Sequence, residues 1–157
     1  MKQHKYEVKT TWTGNQGKGT TTYNSYKRTH VIQIPGKVDI MGSSMPQYLG
    51  DPEFHNPEDL LISSVSACHM LWYLHLCSAE GVVVTAYEDN AEGTMIENAD
   101  GSGQFTSITL KPKVTVADSM MIAKANSLHV KANQFCFIAK SVNFPVLHLP
   151  ECKAVGN

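Results

Sequence analysis

With 157 residues, 42% of them hydrophobic and 17% charged, the chain has the make-up of a globular protein with one good core, and a single domain over 1–157 is the simplest expectation. Thirteen Lys and Arg against 14 Asp and Glu leave a formal charge of −1, which gives no electrostatic case for nucleic acid or an anionic membrane. The opening Met1-Lys-Gln-His-Lys-Tyr-Glu-Val lacks the apolar stretch of a secretory signal, and no apolar run approaches the ~18 residues that cross a bilayer, so a cytoplasmic protein without a membrane partner is expected.

Along the chain, residues 5–13 alternate, with Tyr6, Val8, Thr10 and Trp12 on one side, and predict a first strand. A glycine-rich loop follows over 13–20. Residues 27–34 and 37–41 read as strands joined at the turn dipeptide Pro35-Gly36, and 42–55 as an irregular surface segment. A long helix is predicted over 57–80, with Asn56 as N-cap, Pro57 at N1, Glu58 and Asp59 facing the positive end of the macrodipole, and Gly81 as the C′ stop. Apolar residues on nearly all its sides make it a central helix covered on most faces. Residues 82–87 read as a strand and 100–103 as a turn. Over 104–116, Ile108, Leu110, Val114 and Val116 face one way and polar residues the other, as in a half-solvated antiparallel strand, with Pro112 marking an edge or bulge. Asp118 caps a helix over 119–132 with Met121, Ala125, Leu128 and Ala132 on one face. A short helix over 135–142 and a last strand over 144–149 complete the chain. This order predicts an α+β fold with a largely antiparallel sheet.

Chemistry concentrates in the four cysteines, Cys68, Cys77, Cys136 and Cys152. No Cys-x-x-Cys pair is present, which removes the common zinc and thioredoxin-like signatures. Cys68 and Cys77 share the long helix nine residues apart, on opposite faces and separated by a rise of roughly 13 Å; a disulfide needs Cα atoms within about 7 Å. Cys77 therefore reads as a small buried hydrophobe, Cys152 has no motif context, and Cys136 is left as the plausible partner of Cys68. Core packing is the plain alternative for Cys68, since burial raises a thiol's pKa and a mid-helix position gains nothing from the dipole. A nucleophilic Cys68 needs a nearby cation. The candidate is Arg28, the one arginine in the chain, whose own alternative is a solvated charge at a strand start. Glu58, about 15 Å along the helix from Cys68, is equally explained as a first-turn acid. A zinc site from Cys68, His69, His75 and Cys77 fails because four ligands cannot converge from one straight helix. The chain has no Gly-x-Ser-x-Gly elbow and no phosphate-loop ending.

Asn56-Pro57-Glu58, followed ten residues on by Ala67-Cys68 and much later by Cys136-Phe-Ile-Ala-Lys, resembles the OsmC/Ohr family of osmotically inducible and organic hydroperoxide resistance proteins over residues 22–149. The resemblance implies the OsmC-like fold, an intertwined homodimer with active sites near the subunit interface, and a cysteine-based peroxidase with no cofactor and no metal. It implies that Cys68 attacks the peroxide, that Cys136 resolves the resulting sulfenic acid as a disulfide, that Arg28 pairs with the thiolate and that Glu58 is its acidic partner. It further implies an organic hydroperoxide substrate and an external dithiol reductant of lipoyl type. Tyr26-Lys27-Arg28-Thr29-His30 departs from the Gly-Gly-Arg setting of well-studied members, Phe137 stands where many carry proline, and Cys68-His69-Met-Leu-Trp72 points to a less-characterised branch. Leu71, Trp72, Phe135 and Phe137 favour organic substrates, and all four are equally expected as core. A binding module of this fold without peroxidase activity, and a thiol enzyme acting on another electrophile such as a thioester, remain open alternatives.

Overall fold

A computed structural model describes residues 2–156, and the chain divides into two compact units, the first running to Leu60 and the second starting at Leu61.

The first unit is an antiparallel sheet of β1 (Lys9–Trp12), β2 (His30–Gln33) and β3 (Ile40–Gly42), in that order, with Trp12 opposite His30 and His30 opposite Gly42. β1 begins later than the alternation at Tyr6 and Val8 suggests; those two side chains are exposed. The Pro35-Gly36 turn forms as expected, with Gly36 at φ 76° and Lys37 N–H donating to Ile34 O at 3.0 Å. Within this unit the buried residues are Gly14, Gly42 and Ser43, and no apolar side chain among the described ones is buried.

The long helix α1 (Pro57–Ala79) begins and ends where its caps dictate. Asn56 Oδ1 accepts from Asp59 N–H at 2.8 Å, satisfying one orphan donor of the first turn. At the other end Gly81 has φ 74°, Val82 N–H donates to Cys77 O at 2.8 Å and Gly81 N–H to Ser78 O at 3.4 Å, the paired bonds of a Schellman ending. Expected cover on most faces is not what a single chain provides. The buried positions of α1 are Val65, His69, Tyr73, Leu76 and Cys77, a single stripe at helical spacing, while Leu71 on the far side is exposed. α1 also corrects the expectation about bilayers: by length and composition it is apolar enough to cross one. Its stripe is instead buried in the cores of the second unit.

Beyond α1, the second unit has two more three-stranded sheets. One is ordered β4 (Val84–Asp89), β7 (Pro112–Val116), β9 (Glu151–Ala154); the other β5 (Glu92–Glu97), β6 (Gly103–Leu110), β8 (Val146–His148). The single strand expected over 104–116 is thus two strands in two sheets, separated at Lys111. Pro112 starts the second, the position a strand tolerates it. The predicted inward set holds, since Ile108, Leu110, Val114 and Val116 are all buried. β5 and β9 were not expected; the pairing is largely antiparallel as expected, with β6–β8 and β7–β9 the two parallel exceptions. Asp118 caps a short 3-10 turn, Ser119–Met121, through Met120 N–H at 2.8 Å; α2 (Ile122–Phe135) and α3 (Phe137–Ser141) follow, broken at Cys136.

The cap at Gly81 is testable in isolation, because a Cβ added there meets nothing within 4 Å. Gly81→Ala is expected to cost about 1 kcal/mol through its left-handed backbone alone. An unchanged urea midpoint would show that the helix end does not depend on this residue.

Candidate active site

Cys68 lies in mid-α1, half-exposed, on the turn that carries Val65 and His69 into the core. Cys136 is fully buried and occupies a hinge of the backbone. Its N–H closes α2 on Ala132 O at 2.9 Å, and its sulfur accepts from Ala139 N–H at 3.4 Å as the N-cap of α3. The fold brings Cys68 and Cys136 beside each other, although they lie 68 positions apart in the chain. Burial pushes the Cys136 thiol up to about 11, and Cys68 beside it adds to this, outweighing the backbone N–H groups of Ala139 and Ile138 that favour its thiolate. Burial therefore favours the protonated thiol at Cys136. All four cysteines are free.

The flanks of Cys136 are aromatic. Trp72 of α1 meets Phe135 at 5.2 Å between ring centroids, Phe137 edge-on at 5.7 Å and His75 at 5.7 Å. Leu71, Trp72, His75 and Phe137 line an open, apolar cavity of about 310 Å³. Sequence reasoning left Leu71, Trp72, Phe135 and Phe137 as core or substrate contacts; Leu71, Phe135 and Phe137 are exposed.

Arg28 and Glu58 belong to the first unit. The Arg28 guanidinium lies between two tyrosine faces, 4.2 Å from the Tyr23 centroid and 4.3 Å from Tyr26, and donates to Tyr26 O at 2.6 Å and Tyr23 O at 2.7 Å. It lines a cleft of about 280 Å³ with Asp51. Glu58 is half-buried in the first turn of α1. Among the described residues the ion pairs are Lys111–Glu92 and Lys124–Glu80, so Arg28 and Glu58 do not pair within the chain.

A group that sequence reasoning did not assemble lies beside the cysteine pair. His69 Nε2 and His129 Nδ1 are 3.0 Å apart, with ring planes within 4° and centroids 5.3 Å apart, the geometry of two imidazoles meeting edge to edge through one hydrogen bond. Tyr73 stacks on His129 at 3.9 Å, and His148 of β8 is tilted 5.9 Å from His69 and 6.4 Å from His129. His69 and His129 have no solvent exposure. His69 Nδ1, His129 Nε2 and His148 Nδ1 are buried without a hydrogen-bond partner. Nitrogens aimed at each other across 3.0 Å leave no room for an ion at ~2.0 Å from both along that line. His129 falls on the predicted α2 face of Ala125 and Ala132, four residues after one and three before the other, so spacing did mark it as inward.

The model of the family described as OsmC-like protein matches residues 50–148. No curated protein matches the chain. An OsmC-like protein of unknown function from Vibrio cholerae is similar in structure, with 26% identity, a TM-score of 0.85 and coverage of 95% of this chain and 100% of that one. An organic hydroperoxide resistance protein OsmC from Legionella pneumophila (15% identity, TM-score 0.68, 98% and 99% covered) shares the fold. So does the organic hydroperoxide resistance protein OhrB of Bacillus subtilis (20%, 0.61, 96% and 98%).

The histidine pair gives the protein an acid limit. Desolvation, then neighbouring imidazoles, hold His69 down to about 4 and His129 to about 3, against 6.5 in the unfolded chain. Below 6.5 the unfolded state binds more protons, so stability is full above that pH and falls as pH drops toward 4, by up to about 1.4 kcal/mol per pH unit for each histidine. Urea midpoints at pH 7, 6 and 5 should fall accordingly, and His129→Asn should make the slope shallower. Equal slopes would remove the pair from the acid response.

Proposed function

Because this chain belongs to the OsmC-like family, we propose that it is a thiol peroxidase reducing organic hydroperoxides through Cys68 and Cys136. The observation that carries the reading is that the fold sets these two thiols side by side, one half-exposed and one buried. The Cys68 thiolate attacks one peroxide oxygen. The O–O bond breaks, the alkoxide takes a proton and leaves as alcohol, and sulfur is oxidised by two electrons to a sulfenic acid. Cys136 then displaces the hydroxyl, forming a disulfide and releasing water. An external dithiol, of lipoyl type by family resemblance, returns both sulfurs to thiols by exchange. The apolar cavity at Trp72 and Phe137 suits an organic peroxide tail. Four free thiols suit a reducing cytoplasm.

A homodimer is part of the proposal. A three-stranded sheet with no buried apolar side chain, and a long helix buried along one stripe, both call for cover that a second copy supplies. Arg28 remains the proposed cation for the thiolate and Glu58 its acidic partner. With two donors on the Tyr23 and Tyr26 carbonyls, Arg28 keeps further N–H groups for an acceptor at a subunit interface.

With an organic hydroperoxide and a dithiol, Cys68→Ser should reduce peroxide consumption to the uncatalysed background. Cys136→Ser should consume one equivalent and stop. Unimpaired turnover by either variant, or thioester cleavage in place of peroxide reduction, would sink the reading. Sedimentation at micromolar concentration should give a dimer, burying more than ~2,000 Å² in total; a monomer would contradict it. Arg28→Ala should slow alkylation of Cys68 near neutral pH about tenfold, because the thiolate loses its cation. Superimposable rates of Cys68 alkylation against pH would take Arg28 out of the site.

A further inference from the structure

The fold invests a buried polar pair next to the thiols where an apolar pair would pack at lower cost. His69 follows Cys68 on α1. His129 precedes Cys136 by seven residues on α2, two turns away on the same face, about 10 Å along the helix. α1 and α2 therefore meet along a line of contacts: His69 and Tyr73 on His129, Trp72 on Phe135, and Cys68 on Cys136. Aromatic and apolar contacts tolerate sliding. A single hydrogen bond between coplanar rings does not, because small rotations or shifts of either helix break it. Keeping imidazoles here leaves His69 Nδ1 and His129 Nε2 buried without partners, a desolvation cost that leucine or phenylalanine would not incur. The groups facing the pair are His148 from β8, Asp89 at the end of β4 and Tyr73 from α1 itself; Asp89 is already held by Ser66 Oγ at 2.5 Å and Lys111 N–H at 2.7 Å.

We propose that His69 and His129 are positioning residues for the second chemical step, their mutual hydrogen bond fixing α1 against α2 so that Cys136 reaches the oxidised Cys68. This rests on the reading of the cysteine pair given above. In that step Cys68–SOH and Cys136–SH become a disulfide. The S–S bond forms, the S–O bond breaks, and the hydroxyl leaves as water with the Cys136 proton. The bond needs the sulfurs to close to about 2.05 Å within a narrow range of Cα separations, so a small change in helix register slows closure, while the first step, which involves Cys68 and peroxide alone, is untouched.

Quenched-flow oxidation with one equivalent of cumene hydroperoxide separates the two steps. Dimedone trapping counts sulfenic acid, and alkylation followed by mass spectrometry counts thiols and disulfide. His129→Phe keeps a ring for Tyr73 and loses the hydrogen bond. Condensation should slow about ten- to a hundredfold, with the rate of first oxidation unchanged and dimedone adduct accumulating. The double variant His69→Gln/His129→Asn sets amides where Nε2 and Nδ1 lie and should recover condensation to within about threefold of wild type. The variant His69→Gln/His129→Gln differs by one methylene, reaches the wrong point and should stay slow. Wild-type condensation in folded His129→Phe, or equal rates in the two amide pairs, would overturn the positioning role and leave the peroxidase reading standing. Failure of the wild-type protein to form any Cys68–Cys136 disulfide would overturn both. Should His129→Phe not fold, the comparison of the two amide pairs decides alone.

Discussion

α1 and α2 meet through a few side chains, His69 and Tyr73 on His129 and Trp72 on Phe135, and these set the surroundings of the two thiols. The part of the α1 stripe from His69 to Cys77 meets an α2 face that is half small and half polar, with Ala125, Leu128, His129 and Ala132, while Val65 packs on Ile108 and Leu110. Small residues let the helices approach, and the imidazole and phenol rings fill what remains. The same crossing carries the thiols. Cys136 reaches Cys68 because α2 stops at Phe135 and the backbone turns there into α3, leaving the cysteine at the elbow and its sulfur pointing back to α1. The aromatic packing around Trp72 and the meeting of the two thiols thus share one helix pair.

Much of α1 was legible because its ends are written locally. Asn56, Pro57 and Gly81 each act on bonds within four residues of themselves. The inward set of β6 and β7 was legible for the same reason, alternation being a property of neighbours. What was not legible is non-local. β5 has only exposed residues and no alternation to announce it, yet Gly93 lies so close to Phe105 and Ile62 that a Cβ there would collide with both. β9 forms in a tail without a hydrophobic pattern, held by its parallel register with β7. Pro112 was read as an irregularity in one strand, while the chain uses it to start a strand in another sheet.

At the site, the two cysteines were singled out by exclusion and family pattern, and their contact is a tertiary fact that no spacing contains. Arg28 stood out by being the single arginine, but its cradle between Tyr23 and Tyr26 depends on a loop that doubles back, with Lys27 N–H on Gly14 O at 2.9 Å. The histidines were judged as ligands on one helix and dismissed on that ground. Their meaning came from a second helix and a strand, His129 and His148, which sequence spacing leaves unconnected to His69.

The two tryptophans of the chain fall one in each unit, and this has an optical consequence. Trp12 in β1 donates its indole N–H to Lys27 O at 2.8 Å and stands edge-on to Tyr26 at 5.8 Å. Trp72 in α1 is ringed by Phe135, Phe137 and His75, at the flank of Cys136. Each indole therefore reports a separate region through its own emission. Replacing Trp72 with phenylalanine leaves a protein whose fluorescence follows the first sheet, and replacing Trp12 leaves one whose fluorescence follows the cysteine elbow. The chain carries an intrinsic, unlabelled probe for each half.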